Sequence, residues 1–193
     1  LNDFIFMVED TSHMFITGPQ VVKSVTHEEV TFDELGGAAT HAGTSGVAHF
    51  TAENEDAALD MVRTLMSYLP QNNLEDPPMV TSRDEVTRTE EALDSVIPND
   101  SNAPYDVKDV ITDVMDMGSF FEIQPAFGKA LISGLARLNG FAVGVIANNP
   151  TFHGGAMDAR DAQKQARLVS MCDMFHLPLI FLVDVPGFMI GVE

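Results

Sequence analysis

Apolar positions recur along this chain in two rhythms, one of helical spacing and one of short continuous runs. Residues 1–8 (Leu-Asn-Asp-Phe-Ile-Phe-Met-Val) form an apolar run of strand length, and residues 14–19 form another, closed by the breaker Gly18-Pro19. Thr31 stands three residues before Glu34, the spacing of a capping box, so a helix start is predicted there. Gly36-Gly37 reads as the end of that turn, and residues 38–47 read as a loop of small residues. Over residues 54–69, Ala58, Met61, Val62, Leu65 and Leu69 fall on one helical stripe, which Pro70 stops. Residues 70–104 lose all periodicity. They carry five prolines, many acids and few apolar residues, as a linker or extended surface segment would.

The rhythm resumes after that segment. Residues 106–117 read as an amphipathic helix, with Val107, Val110, Ile111, Val114 and Met115 on one side. Phe120 to Ile123 opens a strand-rich unit. Residues 130–138 and 141–147 read as strands joined by Asn139-Gly140, a strong hairpin dipeptide. Residues 158–175 read as a helix burying Ala162, Ala166, Val169, Cys172 and Phe175. Residues 179–183 form a continuous apolar strand, the kind a parallel sheet covers on both faces. This order of strand, strand, helix and strand carries no Gly-x-Gly-x-x-Gly fingerprint and no Walker loop.

Composition narrows the function classes. With 193 residues and 45% hydrophobic content, the chain can bury a substantial core as one domain or two small ones. It has no apolar run long enough to span a bilayer and no basic segment of a signal peptide, so no membrane insertion is expected. It opens without Met and stops just after a glycine loop, which reads as an internal fragment of a longer protein. A lone Cys172 excludes an internal disulfide, fits a reducing compartment and reads as a buried, inert thiol.

The net charge of −19 is uneven: residues 1–119 hold 23 acids and five bases, and residues 120–193 hold six acids and five bases. The acidic front argues against nucleic acid and reads as a solvated surface of the kind that suits a saline habitat. The near-neutral back half is the better host for an anionic ligand. His27, His41, His49 and His153 lack ligand spacing, so no metal is expected. Arg160, Lys164 and Arg167 share a helical face, read as a solvated or interface stripe, with contact to a ligand phosphate or an acidic partner surface as the other reading.

Chemistry concentrates where strands end in glycine. Gly187-Phe188 follows the last strand, and Gly154-Gly155 precedes the helix from Asp158. Such loops present bare backbone N–H groups, and a helix N-terminus adds positive potential. Gly36-Gly37 and Ser45-Gly46 are a second glycine-bearing set. Against these readings stands plain turn geometry.

Several motifs, in order, resemble one family. Phe121-Glu-Ile, Gly134-Leu-Ala-Arg-Leu-Asn-Gly140, Val143-Gly-Val-Ile-Ala-Asn-Asn-Pro150 and Val183-Asp-Val-Pro-Gly-Phe188 resemble the β-type carboxyltransferase subunit of biotin-dependent acyl-CoA carboxylases. Met14-Phe-Ile-Thr-Gly-Pro19, Glu34-Leu-Gly-Gly-Ala38, His41 and Ser45-Gly-Val-Ala-His49 agree with the same subunits. The motifs resemble in particular those of propionyl-CoA carboxylase β, methylmalonyl-CoA decarboxylase α and the large transcarboxylase subunit.

The resemblance implies an α/β fold of the crotonase (ClpP/crotonase) type, a ββα superhelix, with parts of two such domains. Residues 1–95 would be the C-terminal part of the N-terminal domain and residues 96–193 the N-terminal part of the C-terminal domain. It implies carboxyl transfer between carboxybiotin, carried by a partner protein, and the α-carbon of a short-chain, propionyl-CoA-like acyl-CoA. The enolate and the ureido oxyanion need N–H donors, and no side-chain base is required. Gly187 and Phe188 would supply catalytic donors. Gly36, Gly37, Ser45, Gly46, Gly154 and Gly155 would line the substrate. Implied partners are acyl-CoA, a biotin carboxylase or biotin carrier subunit, and copies of the chain in a hexamer. The compartment implied is the cytoplasm, or the mitochondrial matrix of a eukaryote. The family's main glycine-rich oxyanion peptides lie outside the chain, so the fragment alone is expected to be inactive. Ile190-Gly-Val-Glu193 departs from the Pro-Gly-Thr common in propionyl-CoA carboxylases. That leaves a sodium-pumping acyl-CoA decarboxylase as an alternative, beside a non-catalytic crotonase-like assembly module.

Overall fold

The computed structural model describes residues 2–100 and 103–191, in two compact units, Leu1–Thr64 and Leu65–Glu193. The expected strand over residues 1–8 shortens to β1, Phe6–Val8, with residue 1 outside the described residues. It pairs in parallel with β2, Phe50–Ala52, which the sequence pattern did not reveal. Met7, Ala38 and Ala48 form the buried centre of this unit.

Residues 14–18 form no strand, and Ile16 is fully exposed. Gly18-Pro19 starts a helix instead of breaking a strand. Gly18 is the N-cap of α1, Pro19–Thr26, and Pro19 takes a first-turn position, where its missing N–H costs no hydrogen bond. The capping box forms as predicted: Thr31 Oγ1 accepts from the Glu34 amide at 3.2 Å, and Glu34 Oε2 accepts from the Thr31 amide at 2.9 Å. Together they start α2, Phe32–Gly36.

The expected loop over residues 38–47 is largely helical, as α3, Ala38–Gly43. Gly37 caps both helices, and small side chains let α3 fold straight back on α2. Thr40 Oγ1 donates to the Asp33 carbonyl at 2.9 Å across that corner. The next helix, α4, spans Glu55–Met66, with Asn54 Oδ1 accepting from the Ala57 amide. Its predicted stripe is half-buried at Ala58, Met61 and Val62 and buried at Leu65, but the helix ends four residues before Pro70.

The second unit is a four-stranded sheet of β3 (Phe121–Glu122), β4 (Leu131–Leu138), β5 (Phe141–Asn148) and β6 (Leu179–Leu182), in that order. β3–β4 and β4–β5 are antiparallel, and β5–β6 is parallel through the crossover helix α6, Ala159–Met174. Asn139 and Gly140 both take positive φ, 51° and 83°, the type I′ geometry expected of that dipeptide. On one sheet face, Val107, Ile111 and Met115 of the segment starting in α5 (Val107–Val114) meet Ile132, Ala136, Val143, Val145 and Ala147. On the other lies α6. A Cβ at Gly144 would fall 2.4 Å from Cys172 Sγ, so α6 packs directly on bare backbone there.

Two expectations change in this unit. β6 is not covered on both faces: it is the outermost strand among the described residues, and Phe181 is 47% exposed. The buried stripe of α6 is Asp161, Lys164, Leu168, Met171 and Cys172, rotated from the predicted one, so Ala166 faces solvent. Lys164 therefore leaves the solvated face assigned to it with Arg160 and Arg167, which stay exposed. It is 2% exposed, and its Nζ donates to the carbonyls of Leu131 at 2.7 Å, Phe127 at 2.9 Å and Gly128 at 3.3 Å. Three acceptors satisfy the ammonium's three donors, which is why a charged residue can occupy a core position.

The described residues of 70–100 and 103–104 are irregular, with one 3₁₀ turn among them at Glu91–Asp94, but they are fastened down. Buried Arg137 reaches out of β4 to the carbonyls of Ser67 at 2.7 Å and Pro78 at 2.9 Å, and its guanidinium lies over the Tyr68 ring. Arg88 donates to the carbonyls of Asp113 at 2.6 Å and Met115 at 2.9 Å.

Candidate functional site

The predicted loops of the back half converge at the carboxyl ends of β5 and β6. Asn148, the last residue of β5, accepts the Asp184 amide on its side-chain oxygen at 3.2 Å, which ties the exits of the two strands together. Asn149 Nδ2 donates to the Lys129 carbonyl at 3.0 Å, and its Oδ1 accepts from the Thr151 hydroxyl at 2.6 Å and the Thr151 amide at 3.2 Å. The two asparagines thus set the path of the chain into the His153–Gly155 turn.

That turn meets the second loop. A Cβ at Gly155 would lie 2.7 Å from the Asp184 carbonyl oxygen, so the backbones touch there. Further on, the Met157 amide donates to the Gly187 carbonyl at 3.1 Å, and the Met189 amide donates to the Met157 carbonyl at 2.9 Å. This short parallel bridge uses the Gly187 carbonyl and the Met189 amide, so the Gly187 and Phe188 N–H groups take no part in it. Among the described residues, neither N–H meets an acceptor, and neither does that of Gly154. The Gly155 N–H is used, donating to the Phe152 carbonyl at 2.9 Å. The site therefore offers the three amides of Gly154, Gly187 and Phe188.

The N-terminus of α6 is not open in the same way. Asp158 Oδ1 accepts from the amides of Arg160 at 2.7 Å and Asp161 at 3.0 Å, while Asp161 Oδ2 accepts from the Asp158 amide at 2.8 Å. Burial works against the Asp158 charge, but the Asp161 and Arg160 amides hold its carboxyl below the usual range. The helix's own carboxylate takes the place expected for an anionic ligand. Beneath it, burial pushes the Asp161 carboxyl up and the Lys164 ammonium down to about 8.

Beside Gly154 opens a cleft of about 470 Å³, walled by Ile97, Pro98, Pro104, Pro150 and Val185, with Asp184 and Tyr105 also on its lining. The Tyr105 hydroxyl donates to Asp184 Oδ2 at 2.8 Å. Burial, then this hydrogen bond to a carboxylate, pushes the Tyr105 hydroxyl up to about 12.

The front set differs. Gly36 is buried, and its carbonyl accepts from the Met14 amide at 2.8 Å. The Gly37 amide donates to the Asp33 carbonyl at 2.9 Å. His41 Nε2 lies 2.5 Å from the Met14 carbonyl, which can only accept, so Nε2 carries the proton and Nδ1 accepts from the Ser45 hydroxyl at 2.8 Å. The structure brings Gly36, Gly37, Ser45 and Gly46 together around α2 and α3, with Ser45 already engaged. Sequence reasoning missed Asn148, Asn149, Tyr105 and Asp184 as organisers. The only signals were an Asn-Asn-Pro run and an aspartate directly after strands. No cluster of metal-binding side chains occurs among the described residues, and no helix there is long and apolar enough to cross a membrane.

Known proteins share this arrangement. The chain is 52% identical over all its 193 residues to the carboxyltransferase subunit of propionyl-CoA carboxylase from Haloferax mediterranei, covering 37% of that protein. It is 50% identical over its whole length to the methylmalonyl-CoA decarboxylase α subunit of Veillonella parvula, covering 38% of it. It therefore spans little more than a third of these curated relatives. The crystal structure of transcarboxylase 12S, a hexamer solved with methylmalonyl-CoA and methylmalonic acid bound, superposes with a TM-score of 0.94 at 46% identity, over 98% of this chain and 37% of that one. This likeness makes the ββα unit crotonase-like, as the resemblance implied. Residues 1–193 match the family described as the carboxyl transferase domain, and the chain belongs to that family.

Proposed function

We propose that this chain is part of a biotin-dependent acyl-CoA carboxyltransferase and that its back-half loops supply hydrogen-bond donors to a developing oxyanion. The observation that carries the reading is the set of N–H groups at Gly154, Gly187 and Phe188, which face no acceptor among the described residues, with the Gly187-Phe188 segment held by the Met157 bridge. Removing a proton from the α-carbon of an acyl thioester puts negative charge on the thioester oxygen. Preorganised amides stabilise that charge without reorganising. The same donors suit the urea oxygen of biotin, so the residues present fit the cofactor. Carboxybiotin, when bound, supplies the carboxyl group. The chain's own part is to hold the amides in place, and none of these residues needs to transfer a proton.

Gly36, Gly37, Ser45 and Gly46 shape the acyl-CoA side through the path of the backbone, while Gly155 sets the close approach of the back loops. Residues 1–95 and 96–193 are assigned to the two family domains on the resemblance. The relatives support propionyl-CoA or methylmalonyl-CoA as substrate, a biotin carboxylase or carrier as partner, and a homo-oligomer. The near-equal identity to a decarboxylase α subunit favours one second reading, the same transfer run from the acyl-CoA to biotin. The test uses the full-length protein with a biotinylated carrier. Label should pass between methylmalonyl-CoA and the carrier, and absence of exchange in both directions would defeat both readings.

A further inference from the structure

We infer that Tyr105 and Asp184 form a latch that positions the Gly187-Phe188 amides. This rests on the function just proposed. Tyr105 lies just ahead of α5, and its half-buried ring packs against the core of Val107, Ile111 and the inner faces of β4 and β5. The ring is therefore anchored, and its hydroxyl is a fixed donor. It meets Asp184 Oδ2 at 2.8 Å, across 79 residues of sequence.

Asp184 is held on three sides. Its carboxylate accepts from Tyr105, its amide donates to Asn148 Oδ1 at 3.2 Å, and its carbonyl abuts Gly155. It is the second residue after β6 and stands three residues before Gly187. From Asp184 the chain has only Val185 and Pro186 before the amides, and proline stiffens that span. A tether at Asp184 thus sets where Gly187 and Phe188 begin. At the far end, the Met157 bridge holds the loop through the Gly187 carbonyl and the Met189 amide. Removing the Tyr105 hydroxyl leaves ring packing intact and takes away the one hold on the Asp184 side chain among the described residues, so that end rests on the backbone contacts to Asn148 and Gly155 alone. Tyr105 is a positioning residue, acting through Asp184.

The test compares full-length wild type with Tyr105→Phe and Asp184→Asn. Hydrogen exchange is read over residues 183–190 and at Met157, and kinetics are read with the biotinylated carrier. The latch predicts at least about fivefold faster exchange of the Met189 and Met157 amides in Tyr105→Phe. It also predicts a kcat about tenfold lower, as misplacement of donors costs rate, with the acyl-CoA KM within twofold. Asp184→Asn keeps an acceptor for Tyr105 and should show only a small part of that loss. Unchanged exchange in Tyr105→Phe overturns the latch whatever the activity. An equal fall in activity for both variants, or a change confined to KM, also overturns it. A wild type that transfers no carboxyl group defeats the functional reading instead, and the exchange data still decide the latch.

Discussion

The two glycine-bearing regions look alike on paper but differ in what their polar groups do. Around Gly36 and Ser45, the Gly37 amide, the Ser45 hydroxyl and the His41 ring are each spent on a neighbour. Around Gly154 and Phe188, three amides face no acceptor among the described residues. Glycine in the first region answers a steric demand: a Cβ on Gly36 would sit 2.2 Å from the Met14 carbonyl oxygen. A Cβ on Gly187 would touch nothing within 4 Å. The lesson is that hydrogen-bond saturation, not glycine content, separates scaffold from site.

The largest effect expected concerns the floor beneath the open loops. Burial depresses the Lys164 ammonium from 10.5 to about 8 in the folded chain. Between those values the unfolded chain holds the extra proton, so stability rises with pH through that window. The rise should be roughly 3 kcal/mol, from about 1.4 kcal/mol per unit. Urea unfolding from pH 7.5 to 10.5 should show it in wild type and lose it in Lys164→Met. Equal slopes would show that the ammonium is not desolvated.

Next comes Gly36→Ala, expected to cost about 2–3 kcal/mol by overpacking against the Met14 carbonyl. Denaturant midpoints measure it, and a loss under about 0.5 kcal/mol would erase the steric half of the comparison. Ser45→Ala should cost about 1 kcal/mol, since His41 Nδ1 loses its donor. Gly187→Ala should be the mildest for folding. There is space for the methyl group, and only the φ of 149° opposes it, at about 1 kcal/mol. Its effect should fall on carboxyl transfer, separating the two regions by which assay responds.

Much of this was legible from local pattern. The hairpin at Asn139-Gly140, the stretch of α5 and the capping box at Thr31 all depend on residues within a few positions of one another. What failed depended on distant partners. Lys164 reads as a surface lysine because nothing in α6 shows that the turn bearing Phe127, Gly128 and Leu131 will offer it three carbonyls. That one burial rotates the whole stripe of α6. Pro19 reads as a breaker because proline both ends strands and starts helices, and only the path after Gly18 decides. The glycines at Gly154 and Gly187 were visible as candidates. Which amides stay free was not, because it depends on the Met157 bridge and on Asp158 filling the helix end.

The central claim is that the Phe188 N–H is a working donor. Replacing the peptide bond before Phe188 by an ester, with phenyllactic acid in its place, removes that hydrogen and keeps the side chain. In the full-length protein, the account predicts that kcat for carboxyl transfer falls about a hundredfold, as for loss of one oxyanion donor, while the melting temperature stays within about 2 °C, because that N–H has no partner among the described residues. Transfer at the wild-type rate from the ester variant would contradict it.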